Sequence, residues 1–214
     1  MSTRTTAMLF AESEELAPGA VVLRGAVADD AESVLAELPQ LAAQSPFRRV
    51  MTPTGKPMSV EMTNCGAVGW VSDRRGYRYE ESDPTSGRAW PAMPASFRYL
   101  AARLAKQAGY EHYEPDTCLV NKYSVGSKMG MHQDRDERDF SQPIVSVSLG
   151  LPIVFKFGGE TRNGPSVKVQ LHHGDVVVFG GGARLAFHGV GTLRRGDHPL
   201  TGPLRYNLTF RVAR

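Results

Sequence analysis

A chain of 214 residues, 41% hydrophobic and 22% charged, has the size and balance of one compact domain that builds its own core. No apolar run reaches membrane-spanning length, and the polar start at residues 1–6 has no apolar segment behind it, so neither a membrane span nor a secretory leader is expected. Two cysteines, Cys65 and Cys118, exclude a disulfide framework and fit a reduced, cytoplasmic protein.

The net charge of +3 says little by itself, but its distribution is uneven. Between residues 44 and 78, Arg48, Arg49, Lys56, Arg74, Arg75 and Arg78 face only Glu61 and Asp73, a local net of +4. A solvated basic face explains this segment as readily as a site for a polyanion such as nucleic acid.

In chain order, residues 1–16 read as a flexible N-terminus, frayed to about Phe10, ahead of a single domain at 17–214. Residues 20–23 predict a short strand. Asp29 and Asp30 offer cap oxygens to a helix with apolar positions at Ala31, Val34, Leu35, Leu38 and Leu41, which Pro39 is expected to end or kink. From 46 to 94, recurring Gly, Pro, Thr and Ser among scattered aromatics predict short hairpins and ordered loops. Pro94 opens a second helix, with Phe97, Leu100, Ala101, Leu104 and Ala108 on one face and Gly109 as its stop. Strands are then predicted at 118–123, 144–151, 154–157, 167–171, 176–179, 184–188 and 206–212. Many short strands with Gly-rich turns and few helices indicate a β-barrel or jelly roll.

Histidine is scarce, with six in the chain, so each can be weighed. His132-Gln-Asp134 sets an imidazole and a carboxylate two residues apart, on the same side of extended backbone. His188 is the best third ligand, because it follows the apolar run Leu185-Ala-Phe187 and so falls at a strand end. His112, His172, His173 and His198 lie in polar connections. Two His and one carboxylate on a β scaffold form the facial triad of non-haem iron(II) oxygenases; zinc is the rival for the same ligands.

The C-terminal strand carries a second signal. Arg205, Asn207, Thr209 and Arg211 share one face, while Tyr206, Leu208, Phe210 and Val212 share the other. Two guanidinium groups on a buried face require anions, and a dicarboxylic acid would occupy both. Asn121 and Tyr123 share parity on their own strand and add an amide and a phenol. An edge strand with its arginines in water is the alternative for this strand taken alone.

Together, N-x-Y, H-x-D, a distant His and R-x-N-x-T-x-R resemble the AlkB family of Fe(II)- and 2-oxoglutarate-dependent nucleic-acid dealkylases. The resemblance runs from about Ala17 to the C-terminus and includes residues 58–66, 144–152 and 173–178. It implies a mainly β fold with flanking helices: a double-stranded β-helix (jelly-roll, cupin-like) core at about 115–214, with a nucleotide-recognition lid at about 46–91. It implies Fe(II) on His132, Asp134 and His188, with 2-oxoglutarate and O2 as co-substrates. Arg205, Asn121 and Tyr123 would take the distal carboxylate of 2-oxoglutarate, and Arg211 with Asn207 the carboxylate beside the metal. Gly130, in the run Lys128-Met-Gly130-Met, stands where a larger residue is expected and would loosen the loop before the triad.

The resemblance also implies the substrate. Trp70 and Tyr77 would be aromatic walls for a flipped base, stacked from its other side by His132, and Asp136 and Arg162 would touch the base. Core packing is the commoner fate of a Trp, and a solvated charge the plainer reading of Asp136. Thr52, Arg74, Arg75, Arg78 and Lys128 are candidate phosphate contacts. The implied activity is oxidative demethylation of 1-methyladenine and 3-methylcytosine in single-stranded DNA, with double-stranded DNA and RNA as further partners, by a monomer. Formaldehyde, succinate and CO2 would be released. The alternatives are an oxygenase of the same core acting on protein side chains, and a non-catalytic cupin-like binding module.

Overall fold

The structure is a computed structural model that describes residues 12–214. In chain order its elements are β1 (Ser13–Ala17), β2 (Ala20–Leu23), α1 (Ala31–Gln44), β3 (Arg48–Met51), β4 (Pro57–Gly66), β5 (Gly69–Asp73), β6 (Gly76–Glu80), α2 (Ala95–Gln107), β7 (Thr117–Tyr123), β8 (Met129–His132), β9 (Ile144–Gly150), β10 (Ile153–Gly158), β11 (Ser166–Leu171), β12 (Val176–Phe179), β13 (His188–Val190) and β14 (Arg205–Arg211). A 3-10 turn, Gly181–Ala183, precedes β13.

Strands β1-β2-β12-β9-β14-β7-β4-β3 form one sheet in that order, β11-β10-β13-β8 a second, and β5-β6 a small third. All their pairings are antiparallel. One apolar cluster joins α1 and α2 to the outer face of the large sheet through Leu38, Phe97, Leu104, Val147 and Phe210. A second fills the space between the two larger sheets with Leu119, Ile144, Phe155, Phe157, Leu171 and Phe179. This is a jelly-roll core with helices packed on one side. No helix among the described residues is long and apolar enough to cross a membrane.

Strand β14 is the centre of the large sheet. It is bonded to β7 from Arg205↔Tyr123 to Arg211↔Thr117, and to β9 from Arg205↔Gly150 to Phe210↔Val145. Its two-residue alternation sends Leu208 and Phe210 toward the helices and leaves Arg205, Asn207, Thr209 and Arg211 on the inner face. Of the stretch 46–91, β3 and β4 extend the large sheet beside β7, and β5–β6 forms the separate hairpin. Gly69 opens that hairpin under Trp90: a Cβ there would lie 2.3 Å from the indole ring. Trp90 is therefore the hairpin's core anchor, with its Nε1 donating to the Glu80 carbonyl.

Several sequence expectations are corrected. Residues 1–11 lie outside the described residues, but Ser13–Ala17, which begins inside the stretch read as a flexible N-terminus, is a strand paired with β2. Helix α1 runs through Pro39 to Gln44: Pro39 is exposed, and buried Leu38 and Leu41 hold the helix to the sheet beyond it. Asp30 is the cap residue of α1, but its side chain makes no cap bond and instead accepts from Arg103. Pro94 is likewise the cap of α2 and not its first helical residue. Residues 184–187 are not a strand. Arg184 is helical at the end of the 3-10 turn, where its guanidinium captures backbone carbonyls, so His188 opens β13 instead of closing a strand. Strand β8 was not expected, and Gly130 lies inside it instead of in a loop.

Candidate active site

His132 and His188 are register partners across β8 and β13. Gly189 permits this approach, since a Cβ there would come within 2.8 Å of the Met129 carbonyl. Asp134 follows two residues after His132. Its carboxylate lies 3.6 Å from His132 Nε2 and 3.8 Å from His188 Nε2, and one ligand atom from each of the three residues falls within 4.8 Å of the others. The Nδ1 atoms donate to the carbonyls of Gly130 (2.8 Å) and Ala186 (3.0 Å), which turns both Nε2 lone pairs toward Asp134.

Burial, helped by the nearby His132, lowers the His188 pKa to about 4, so this imidazole is neutral and able to ligate at neutral pH. Burial pushes the Asp134 carboxyl up, but Arg211, His188 and His132 outweigh it and hold the group well below the usual carboxylate range. Two imidazoles and one carboxylate on adjoining β-strands and loop suit a ferrous ion, with other positions open.

Beside them lies the inner face of β14. Arg205 is 2% exposed; its Nη2 donates to Ser148 Oγ at 3.0 Å, and its guanidinium lies 5.0 Å from the Tyr123 ring centre. Its Nε and Nη1, Arg211 Nη1 and Asn121 Oδ1 are buried without a partner. Orphaned guanidinium N–H groups in an interior are costly unless an anion meets them. Two carboxylates on a short linker, as in 2-oxoglutarate, fit them. Asn207 is locked between these arginines, donating to Ser146 Oγ (2.8 Å) and the Val147 carbonyl (2.9 Å) and accepting from Thr209 Oγ1 (3.0 Å). Asn121 Nδ2 donates to Asn207 Oδ1 at 3.3 Å.

These groups open into one cavity of about 490 Å³, lined by every residue singled out from the sequence except Arg74, Arg75 and Arg78. At its mouth the Trp70 Nε1 donates to Asp136 Oδ2, and the Trp70 and Tyr77 rings stack with centres 5.4 Å apart. Trp70 is thus part of the cavity wall, and it also packs against the inner apolar cluster. Arg162 is exposed and lies over the Phe187 ring, its guanidinium 5.8 Å from the ring centre. Lys128 and Thr52 also reach the cavity; Gly130 carries open space where a Cβ would stand.

The three hairpin arginines are placed apart from the cavity. Arg78 bonds Asp73 and Glu80, and Arg75 bonds Asp73, while Arg74 is exposed. Glu80 shares strand parity with Arg78, and Asp73 lies across the tight turn; both were legible signals of this pairing. Four participants were missed. Ser146 and Ser148 hold Asn207 and Arg205, and Glu137 and Arg184 form a buried ion pair at 3.1 Å behind Asp134. Glu137 has no short-range partner, so no sequence pattern marks it.

A family model for the 2OG-Fe(II) oxygenase superfamily matches residues 19–211, which defines the class. The chain is 52% identical over 209 residues to the alpha-ketoglutarate-dependent dioxygenase AlkB of Salmonella typhimurium, and equally to that of Escherichia coli strain K12, covering 96% of this chain and 97% of each relative. A solved structure titled "The structure of OsALKBH1" superposes with a TM-score of 0.83 at 31% identity, over 94% of this chain and 100% of that one. The chain belongs to the AlkB family of Fe(II)- and 2-oxoglutarate-dependent dioxygenases.

Proposed function

We propose that the chain is an oxidative demethylase that repairs N-alkylated bases in nucleic acid, with 1-methyladenine and 3-methylcytosine in single-stranded DNA as its leading substrates. The observation that carries this reading is a single cavity in which a His-Asp-His cluster, unpaired buried guanidinium groups and a Trp-Tyr wall meet. His132, Asp134 and His188 would hold Fe(II). Arg205, with Asn121 and Tyr123, would hold the distal carboxylate of 2-oxoglutarate, and Arg211, with Asn207, the proximal one. When bound, the iron, 2-oxoglutarate and O2 supply the oxidising power, giving succinate and CO2 and adding one oxygen atom to the N-methyl carbon, after which the hemiaminal collapses to formaldehyde and the plain base.

The rest of the work falls to the chain's own side chains. The Trp70 ring gives a flipped base a flat face to stack on, opposite His132. Asp136 spends Oδ2 on the Trp70 indole and keeps Oδ1 to accept from an exocyclic amine, and its charge offsets that of a methylated adenine or cytosine. Arg162 stands at the rim as a further base contact. Lys128 and Thr52, which reach the cavity, and Arg74, exposed on the hairpin, would be the phosphate contacts, and they serve single-stranded DNA, duplex DNA or RNA alike. The β5–β6 hairpin would be the moving part of the recognition lid. Two free, buried cysteines suit a reducing cytoplasm, and the chain would act as a monomer.

The test is incubation with a single-stranded oligonucleotide bearing 1-methyladenine or 3-methylcytosine, Fe(II), ascorbate and 2-oxoglutarate. Formaldehyde release together with restoration of the plain base is expected, and neither should appear with His132→Ala. Succinate formation with no repair of either base would defeat the substrate reading and leave an oxygenase of another target.

A further inference from the structure

We propose that Glu137 is a positioning residue for co-substrate binding, which fixes the Arg211 guanidinium and, through Tyr79, fastens β6 to it. The proposal rests on the reading of Arg211 as a carboxylate anchor and deepens it. The Glu137 side chain is 2% exposed, and both of its oxygens are engaged. Oε1 accepts from the Tyr79 hydroxyl at 2.6 Å and lies 3.3 Å from Arg211 Nε, and Oε2 accepts from Arg184 Nη2 at 3.1 Å. Arg211 in turn gives Nε and Nη2 to Asp134 Oδ2, at 3.1 and 2.6 Å, and keeps Nη1 without a partner. Two carboxylates therefore hold the guanidinium plane, and one N–H edge is left for an incoming anion.

Glu137 adds a hold on Arg211 that does not pass through the metal ligand. Asp134 has to serve both Arg211 and an ion, whereas Glu137 has no second duty at the metal. It is also anchored from behind, because Arg184 donates to the Asp134 carbonyl (2.7 Å) and the Gln142 carbonyl (2.9 Å) and so closes the loop that carries the ligand. Replacing the carboxylate by an amide keeps the volume. It removes one of the two negative charges facing Arg211, and it turns an N–H donor toward a site where every neighbour already donates. A residue serving only to stabilise the fold would lower the melting temperature of such a variant and leave its affinity for the diacid alone.

The experiment is calorimetric titration of Mn(II)-loaded protein with 2-oxoglutarate, joined to steady-state formaldehyde assays. Glu137→Gln is expected to weaken 2-oxoglutarate binding and raise its KM by about 10–100-fold, with kcat at saturation falling far less. Tyr79→Phe tests the fastening and stands in if Glu137→Gln does not fold. In wild type, 2-oxoglutarate should slow amide exchange in Gly76–Glu80, and in Tyr79→Phe that slowing should be lost. Wild-type affinity in Glu137→Gln, or undiminished slowing in Tyr79→Phe, overturns the proposal alone. A wild-type protein that binds no 2-oxoglutarate overturns the co-substrate reading and this one with it.

Discussion

The Trp70 indole N–H and the Asp136 carboxylate are hydrogen-bonded at 2.8 Å, across 66 residues of chain. One residue belongs to the β5–β6 hairpin and the other to the loop after the His-Asp pair, so a single contact sets the proposed aromatic wall and the proposed carboxylate for the base together. Trp70→Ala removes a stacking face worth about 1–3 kcal/mol, and KM for a methylated oligonucleotide should rise about 5- to 150-fold. Trp70→Phe keeps a ring and loses the indole donor, so its KM should fall between the two. Steady-state kinetics on a 1-methyladenine strand would measure both.

Arg205 is expected to stabilise the fold chiefly when an anion meets it. With Nε and Nη1 unpaired in the interior, Arg205→Met should raise the melting temperature of the ligand-free protein, by about 1–4 kcal/mol of stability. The same variant should lose the thermal shift that 2-oxoglutarate gives wild type in the presence of Mn(II). Melting curves with and without the diacid separate the two effects.

Loss of one imidazole from the cluster should remove the ion and spare the fold, because the two apolar clusters bury far more surface than the single ring that Phe155 and Phe179 would lose as a neighbour. His188→Ala is expected to retain the wild-type far-ultraviolet dichroism, to bind Mn(II) at least about 100-fold more weakly, and to give no measurable formaldehyde.

The Arg48–Asp83 pair ties β3 to the segment after β6 and gives stability a pH dependence. Burial raises the Asp83 pKa, but bonds from Arg48, the Thr85 N–H and Ser86 outweigh it, and the net direction is down from 3.8. The unfolded chain therefore takes up the proton at higher pH than the folded one. The stabilisation is complete above the unfolded value and is lost as pH falls through the lower folded value. Between pH 6 and pH 3, wild type should lose more stability than Asp83→Asn, as read by urea midpoints at each pH.

Salt dependence distinguishes the hairpin arginines. Arg74 is exposed, so Arg74→Ala should lower the slope of log K against log salt for a single strand by about 0.7. Arg78 is committed to Asp73 and Glu80, so Arg78→Ala should leave the slope unchanged and loosen the hairpin. Fluorescence anisotropy with a labelled oligonucleotide at several salt concentrations would show the difference.

The features most legible in the sequence were those with a fixed backbone period. Arg205, Asn207, Thr209 and Arg211 could be placed on one face because strand alternation leaves little choice, and Phe97, Leu100, Ala101 and Leu104 because helical spacing is equally strict. The period failed where side chains override it. Arg184 reads as the start of a strand, yet its guanidinium is drawn into the interior by two backbone carbonyls and the Glu137 carboxylate, which bends the chain into a turn. Pro39 reads as a helix stop, but its missing donor falls on the exposed side, where it costs too little to end α1. Strand β8 was missed because four residues with a glycine among them carry no pattern; its partner β13 creates it. Glu137 meets Tyr79 and Arg211 from distant parts of the chain, and only the folded topology reveals that it faces both.

Strand β14 is bonded on both flanks, while β8 is the outermost member of its sheet and has β13 as its single neighbour. The two halves of the cavity therefore differ in persistence. A local opening that peels four edge residues away carries His132 off and leaves Arg205 and Arg211 in register. Escape of the ion would then leave the rest of the barrel paired. Repair asks a short edge to zip back onto its neighbour, with the rest of the barrel already standing.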